Sequence, residues 1–199
     1  METKEYWDNF YKKNLAPHNE SNFAKSTLTY IQKNKLGDLK LIDLACGNGR
    51  DTFFFSRNGI DVTGIDISVQ PKADSPIFLK ENILTFDYSE YNLIYLRFIV
   101  HALKEDDLDR LLTKLKLANK NQYIFIETRS SKGISDESKT ETYFKSAIGE
   151  EHFRMLYSEA YLTDKLKNHF LIEQIEEAQG FSIYKDEDPF CIRYILRNS

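Results

Sequence analysis

Cysteine is scarce in this sequence: Cys46 and Cys191 are the only two in 199 residues. Cys46 lies inside a glycine-rich turn and Cys191 in a late apolar run, so neither a structural disulfide nor a metal site is expected. Long apolar runs are missing too. No stretch approaches the roughly 18 residues a membrane helix needs, and no leader-like segment opens the chain. Those absences predict a cytoplasmic protein. Positive charge is not in excess either, with 27 Lys and Arg against 31 Asp and Glu, a formal net charge of −4 and no long basic run. That disfavours nonspecific nucleic-acid binding and leaves room only for a local basic cleft. Internal repeats and low-complexity segments are absent. What the chain has in plenty is aromatics, 12 Tyr and 14 Phe, in a length that suits one domain with a proper core.

Eight glycines are present, and two of them punctuate the stretch on which the chain is organised, Leu41-Ile-Asp-Leu-Ala-Cys-Gly-Asn-Gly-Arg50. It opens with residues of strand character, turns through Gly47 and Gly49, and continues into Thr52-Phe-Phe-Phe55 at helical length. A strand, a glycine turn and a helix N-terminus let backbone N–H groups approach a ligand with no Cβ in the way. A second apolar run, Val62-Thr-Gly-Ile-Asp-Ile67, brings Asp66 about 20 residues beyond the turn. That is the distance at which the next parallel strand delivers an acid to a ribose diol. Asp43, at the end of the first strand, would repel a pyrophosphate and attract a cationic ligand.

Asp43-Leu-Ala-Cys-Gly-Asn-Gly49 resembles motif I of the class I S-adenosylmethionine (SAM)-dependent methyltransferases. The resemblance covers nearly the whole chain. It implies a Rossmann-like α/β fold with a seven-stranded, mostly parallel sheet, a C-terminal antiparallel hairpin and helices on both faces. It also implies SAM as cofactor and S-adenosylhomocysteine as product. Asp43, Ala45, Cys46, Gly47, Asn48, Gly49, Asp66, Ile67 and Leu96 would line the cofactor, with its methionine end near Asp43 and Gly47 and its ribose on Asp66. The pattern Tyr6-Trp-Asp-Asn-Phe-Tyr-Lys12, Ala16-Pro17 and Ser21-Asn-Phe-Ala24 resembles the N-terminal lid of small methyltransferases. These are the thiopurine and tellurite-resistance enzymes and, more nearly, those of capsule and lipopolysaccharide gene sets. Residues 1–36 would then be a lid or cap of the domain spanning 1–199, with Trp7 and Tyr11 at the cofactor. The alternative is an amphipathic helix packed on the core.

Taken in order, Ser21 or Asn22 caps a helix to about Asn34, closed by Gly37. Strands are predicted at about Lys40–Leu44, Asp61–Ile65, Ile77–Leu79, Asn92–Leu96 and Gln122–Glu127. A helix at Arg50–Asn58 follows the first, and one at Glu105–Leu117 carries the stripe Leu108, Leu111, Leu112 and Leu115. Ser68–Pro76, bracketed by two prolines, is too short for a full crossover helix. Asn82, in Lys80-Glu-Asn-Ile83, is either a turn residue or a partner for adenine, with Ile83 packing on the ring. Lys132–Glu141 reads as a long loop leading to His152-Phe-Arg154. A helix at Ser158–Asn168 and strands at Phe170–Glu176 and Pro189–Leu196 end the chain.

Ligands in open α/β sheets bind outside the carboxyl ends of the strands. Arg97 and His101 follow the fourth strand, Glu127 and Arg129 end the fifth, and His152 and Arg154 lie beyond it. The capsule-associated enzymes have a similar set. Three arginines and two histidines around one mouth suit an anionic small-molecule acceptor, with His101 ahead of His152 as general base. Alternatively, the arginines simply pair with Glu127 in a structural network. The favoured function is O-methylation of a sugar, sugar nucleotide or sugar phosphate for a surface glycan. The rivals are a thiol or metalloid methyltransferase and a SAM-binding subunit without catalysis.

Overall fold

The computed structural model describes residues 9, 19–68, 71, 76–144 and 151–198. The proposed lid positions Trp7 and Tyr11, and most of Ser68–Pro76, lie outside them.

The first described helix, α1 (Asn22–Lys33), is capped by Ser21, whose Oγ accepts from Ala24 N at 3.0 Å. It buries Phe23, Ala24, Thr27, Leu28 and Ile31, the face its apolar spacing predicts. It ends where expected, with Asn34 as the C-cap, but Lys35, not Gly37, takes the left-handed conformation, with φ 55°. Then follow β1 (Leu41–Leu44), α2 (Arg50–Arg57), β2 (Val62–Asp66), β3 (Ile77–Lys80) and β4 (Leu93–Arg97). A single 3-10 turn, Val100–Ala102, leads to α3 (Glu105–Ala118) and β5 (Tyr123–Arg129). After these come β6 (Lys139–Phe144), β7 (His152–Tyr157), α4 (Glu159–Lys167), β8 (Leu171–Ala178) and β9 (Cys191–Arg197).

Seven strands form one sheet in the order β3-β2-β1-β4-β5-β9-β8. The first five are parallel, and β9 runs antiparallel to both β5 and β8. This is the expected architecture. β1 and β2 are buried along their whole length, as strands covered on both faces must be. Phe23, Ile31 and Phe55 from α1 and α2 pack on one face against Leu41, Leu93 and Tyr95. On the other, Leu108, Leu111, Leu115, Leu162 and Leu166 from α3 and α4 meet Ile42, Leu44, Ile94 and Ile124. Edge strand β8 turns Glu173 and Glu176 to solvent, which discourages further pairing.

The segment after β5 also departs from the sequence expectation. Lys132–Glu141 is not loop throughout, because β6 begins at Lys139 and pairs with β7 in a separate antiparallel ribbon. His152 and Arg154 are therefore strand residues. The alternation Thr140-Glu-Thr-Tyr143 carried the signal, and the polar, serine-rich stretch before it masked it.

Candidate active site at the switch point of the sheet

The strand order reverses between β1 and β4, where Leu44 pairs with Leu96. Crevices at such a point, outside the carboxyl ends, are where open α/β sheets bind ligands. Asp43 stands on one side of the crevice and Arg97 on the other.

On the β1 side the backbone turns sharply. Ala45, Gly47 and Gly49 all have positive φ, of 53°, 56° and 75°. A non-glycine residue held there stores strain of the kind that marks functional turns. Gly47 N donates to Asp66 Oδ2 at 3.0 Å, and Ser68 N donates to Asp66 Oδ1 at 2.8 Å. The acid of β2 thus holds the glycine turn of β1. Asn48 is buried in the turn, whereas Ile67 is 39% exposed. Asp43 is 3% exposed and accepts from Thr52 Oγ1 at 2.6 Å. Burial, with Asp51 and Asp66 nearby, pushes its carboxyl up to about 8.

Gly49 has a different reason from the one the sequence suggested. A Cβ there would lie 2.6 Å from the Phe78 ring and 3.1 Å from Pro71. The space is taken by protein, not kept open for a ligand. Phe78 also lies 2.9 Å from where a Gly64 Cβ would be, and its ring sits 5.1 Å from that of Phe53. Asn82 is exposed and its Oδ1 accepts from Leu84 N at 2.9 Å, as a turn residue does. Ile83 and Leu96 are buried in the core cluster under α3.

Asp51 was not singled out in the sequence. It is buried in the first turn of α2, where it accepts from Ser21 N and Ser21 Oγ, both at 2.7 Å, and from Tyr95 OH at 2.8 Å. It fastens the start of α1 to α2 and β4. Only the acidic residue in a helix's first turn could have signalled it.

Across the crevice the predicted cationic residues come together, in two groups. In the first, Glu127 is fully buried between two arginines: Arg97 Nε donates to its Oε1 at 3.1 Å and Arg193 Nε to its Oε2 at 2.7 Å. Arg193, on β9, was not anticipated. Arg97 also donates to Ser182 Oγ at 3.1 Å and lies 4.3 Å over the ring of Phe98. Phe98 holds φ 62°, a costly conformation for a bulky residue and another mark of a constrained strand end.

In the second group His101 is fully buried, and Arg154, Arg129, His152 and Arg97 all act on it. Its Nδ1 accepts from Arg129 N at 3.0 Å and lies 2.9 Å from Thr128 Oγ1. The ring proton of the neutral imidazole is therefore on Nε2, which has no hydrogen-bond partner among the described residues. Burial and the surrounding positive charge hold its pKa well below the ordinary 6.5. With its lone pair committed to Arg129 N–H, His101 is a buried, neutral ring rather than a ready base. Arg129 Nη2 donates to Glu187 Oε2 at 2.7 Å. Arg154 and His152 are buried on β7, which the ribbon holds against the 3-10 turn. Among the described residues, no group of acidic, histidine and cysteine side chains could hold a metal ion.

Three comparisons bear on this geometry. Residues 5–169 match the family model for a methyltransferase domain. An 87-residue stretch is 33% identical to a ubiquinone biosynthesis O-methyltransferase of Histophilus somni. That stretch is 44% of this chain and spans 36% of the relative. In overall fold the chain is similar to the Burkholderia thailandensis 1,6-didemethyltoxoflavin-N1-methyltransferase with bound S-adenosylhomocysteine, at TM-score 0.68 and 15% identity. The match covers 90% of this chain and 80% of that one. An S-adenosylmethionine-dependent methyltransferase from Clostridium acetobutylicum matches at TM-score 0.66 and 13% identity, over 97% and 98%. At such identities the structures speak for the fold alone.

Proposed function

We propose that this chain, which belongs to the class I SAM-dependent methyltransferases, O-methylates a small hydroxylated acceptor carrying an anionic group. The observation that carries the reading is the gathering of Arg129, Arg154, His101 and His152 beside the switch-point crevice.

The β1 side suits the cofactor. Asp43, Asp51 and Asp66 are all buried there, and the burial and neighbouring carboxylates that raise the affinity of Asp43 for its proton favour added positive charge. A sulfonium and an ammonium supply that charge. Asp66, which accepts from Gly47 N and Ser68 N, would be the acid that meets the ribose diol. Bound SAM would supply a methyl on an excellent leaving group. The chain's own task is then to hold the acceptor in line and take its proton.

Arg129 and Arg154 would grip the acceptor's anion. Since the lone pair of His101 is committed, proton removal falls to His152, with His101 positioning the Arg129 backbone. A sugar phosphate or sugar nucleotide is the acceptor class to try first, because guanidinium forks match phosphate oxygens. The test is release of S-adenosylhomocysteine from SAM across a panel of hydroxylated compounds with and without phosphate or carboxylate, alongside thiols. Turnover confined to the anionic alcohols supports the reading. Turnover of thiols or neutral compounds alone overturns it.

A further inference from the structure

Arg97, Arg193 and Arg129 at the mouth pair with two carboxylates, and the two are placed very differently. Glu127 is fully buried beneath Arg97 and Arg193, a permanent counter-charge. Glu187 reaches Arg129 from the other side. Its side chain is 29% exposed, against 9% for the arginine it caps. It therefore stands between Arg129 and solvent.

Glu187 belongs to the loop 179–190 between β8 and β9. Because Cys191 pairs with Arg129 and with Ala178, this loop lies across the carboxyl edge of the sheet, over the mouth. Its base is fixed. Arg193 Nη2 donates to Phe181 O at 3.3 Å and stacks 4.0 Å over the Phe181 ring, while Ser130 N donates to Phe190 O at 2.9 Å. Its tip is a small closed turn in which Tyr184 and Glu187 exchange backbone hydrogen bonds of 2.9 and 3.0 Å around Lys185 at φ 52°. The tip leaves Ile183 and Tyr184 at 65% and 40% exposure; Arg97 holds the loop at Ser182, and Glu187 ties the tip itself to the sheet through Arg129.

We propose that Glu187 is a built-in competitor for the acceptor's anion. It caps Arg129 from the mouth, so the acceptor enters by exchanging its own anionic group for the Glu187 carboxylate and so freeing the tip of the 179–190 loop. This rests on the anion-gripping role of Arg129 and sharpens it. A tethered carboxylate competes at high effective concentration. An incoming monocarboxylate offers nothing better, whereas a phosphate dianion brings more charge and more acceptor oxygens to the same fork. Glu187 thereby selects phosphate-bearing acceptors over carboxylates.

The probe is inorganic phosphate, titrated by calorimetry into the wild type, Glu187→Gln, and Glu187→Gln combined with Arg129→Gln. Removing the competitor should tighten phosphate by about tenfold, and the second substitution should abolish that gain. Equal affinity in the wild type and Glu187→Gln, with a loss in the double variant, overturns the competition and leaves the grip of Arg129 standing. No phosphate binding in any form overturns both. A measurement on the wild type alone guards against a misfolded variant: tryptic cleavage after Lys185 should accelerate saturably with phosphate, compared with chloride at equal ionic strength. An unchanged cleavage rate contradicts the exchange.

Discussion

Gly47 donates its backbone N–H to Asp66 Oδ2 at 3.0 Å, so the glycine turn after β1 and the acid that ends β2 form one rigid unit. Asp66→Ala should then do two things. It strands two backbone donors, Gly47 N and Ser68 N, at about 1–3 kcal/mol each if buried. It also weakens SAM by at least about tenfold through lost diol bonds. Asp66→Asn keeps an acceptor oxygen and should recover more of the stability than of the affinity. Thermal unfolding and calorimetric titration of the same variants check this, and unchanged binding in Asp66→Ala removes Asp66 from the cofactor site.

Asp43 sets a pH dependence. In the ligand-free protein its carboxyl holds its proton up to about 8, whereas in the unfolded chain it loses it near 3.9. Between those values the folded state binds the extra proton, so this group makes the ligand-free protein less stable as pH rises. A cationic ligand favours the ionised form, so SAM affinity should rise with pH and level off above about 8, with proton release on binding. Titrations in buffers of different ionisation enthalpy measure that release. Affinity independent of pH, with no proton released, means that the cation sits elsewhere.

Gly49 should tolerate no side chain, for reasons of packing. Left-handed backbone costs an ordinary residue about 1–2 kcal/mol, and the Phe78 ring lies 2.6 Å from the new Cβ. Gly49→Val should lower the melting temperature sharply, and Phe78→Leu should partly rescue it. A stable Gly49→Val that merely fails to bind SAM points instead to space reserved for the ligand.

The two groups of arginines should separate by stability. Glu127→Ala leaves Arg97 and Arg193 without their buried counter-charge, a loss of about 3–5 kcal/mol. Arg129→Ala removes the charge-assisted bond to a partly exposed glutamate, worth roughly 1.5–3 kcal/mol. Denaturant unfolding compares them directly. Equal losses would place Arg129 in the structural network as well.

Much of this was legible in the chain. Leu41–Arg50 specified strand, turn and helix because fully buried strands read as apolar runs and because glycine turns that tightly at least cost. The spacing from Gly47 to Asp66 placed an acid beside the turn for a ligand's diol, but gave no sign that the acid would hydrogen-bond the turn itself. Arg97, Glu127, Arg129, His152 and Arg154 were picked out by lying at or beyond strand ends; the sheet brings the first three to its carboxyl edge, and the separate β6–β7 ribbon brings His152 and Arg154 beside His101. What the sequence could not carry is pairing across long separations. Nothing in Arg193 says that it meets Glu127, nothing in Asp51 that it meets Ser21, and Glu187 read as one charge in a polar loop. His101 was legible as a candidate, but its tautomer depends on Arg129 N–H, a backbone group without a sequence signature.

The central claim is that Arg129 grips the anion of a hydroxylated acceptor while a methyl group is transferred from SAM. It is tested most directly by kcat and KM for a phosphate-bearing acceptor in the wild type and in Arg129→Ala, with folding checked by thermal melting. KM should rise by about tenfold or more, the loss of a charge-assisted fork, with kcat changing far less. A KM unchanged in a folded Arg129→Ala contradicts the account.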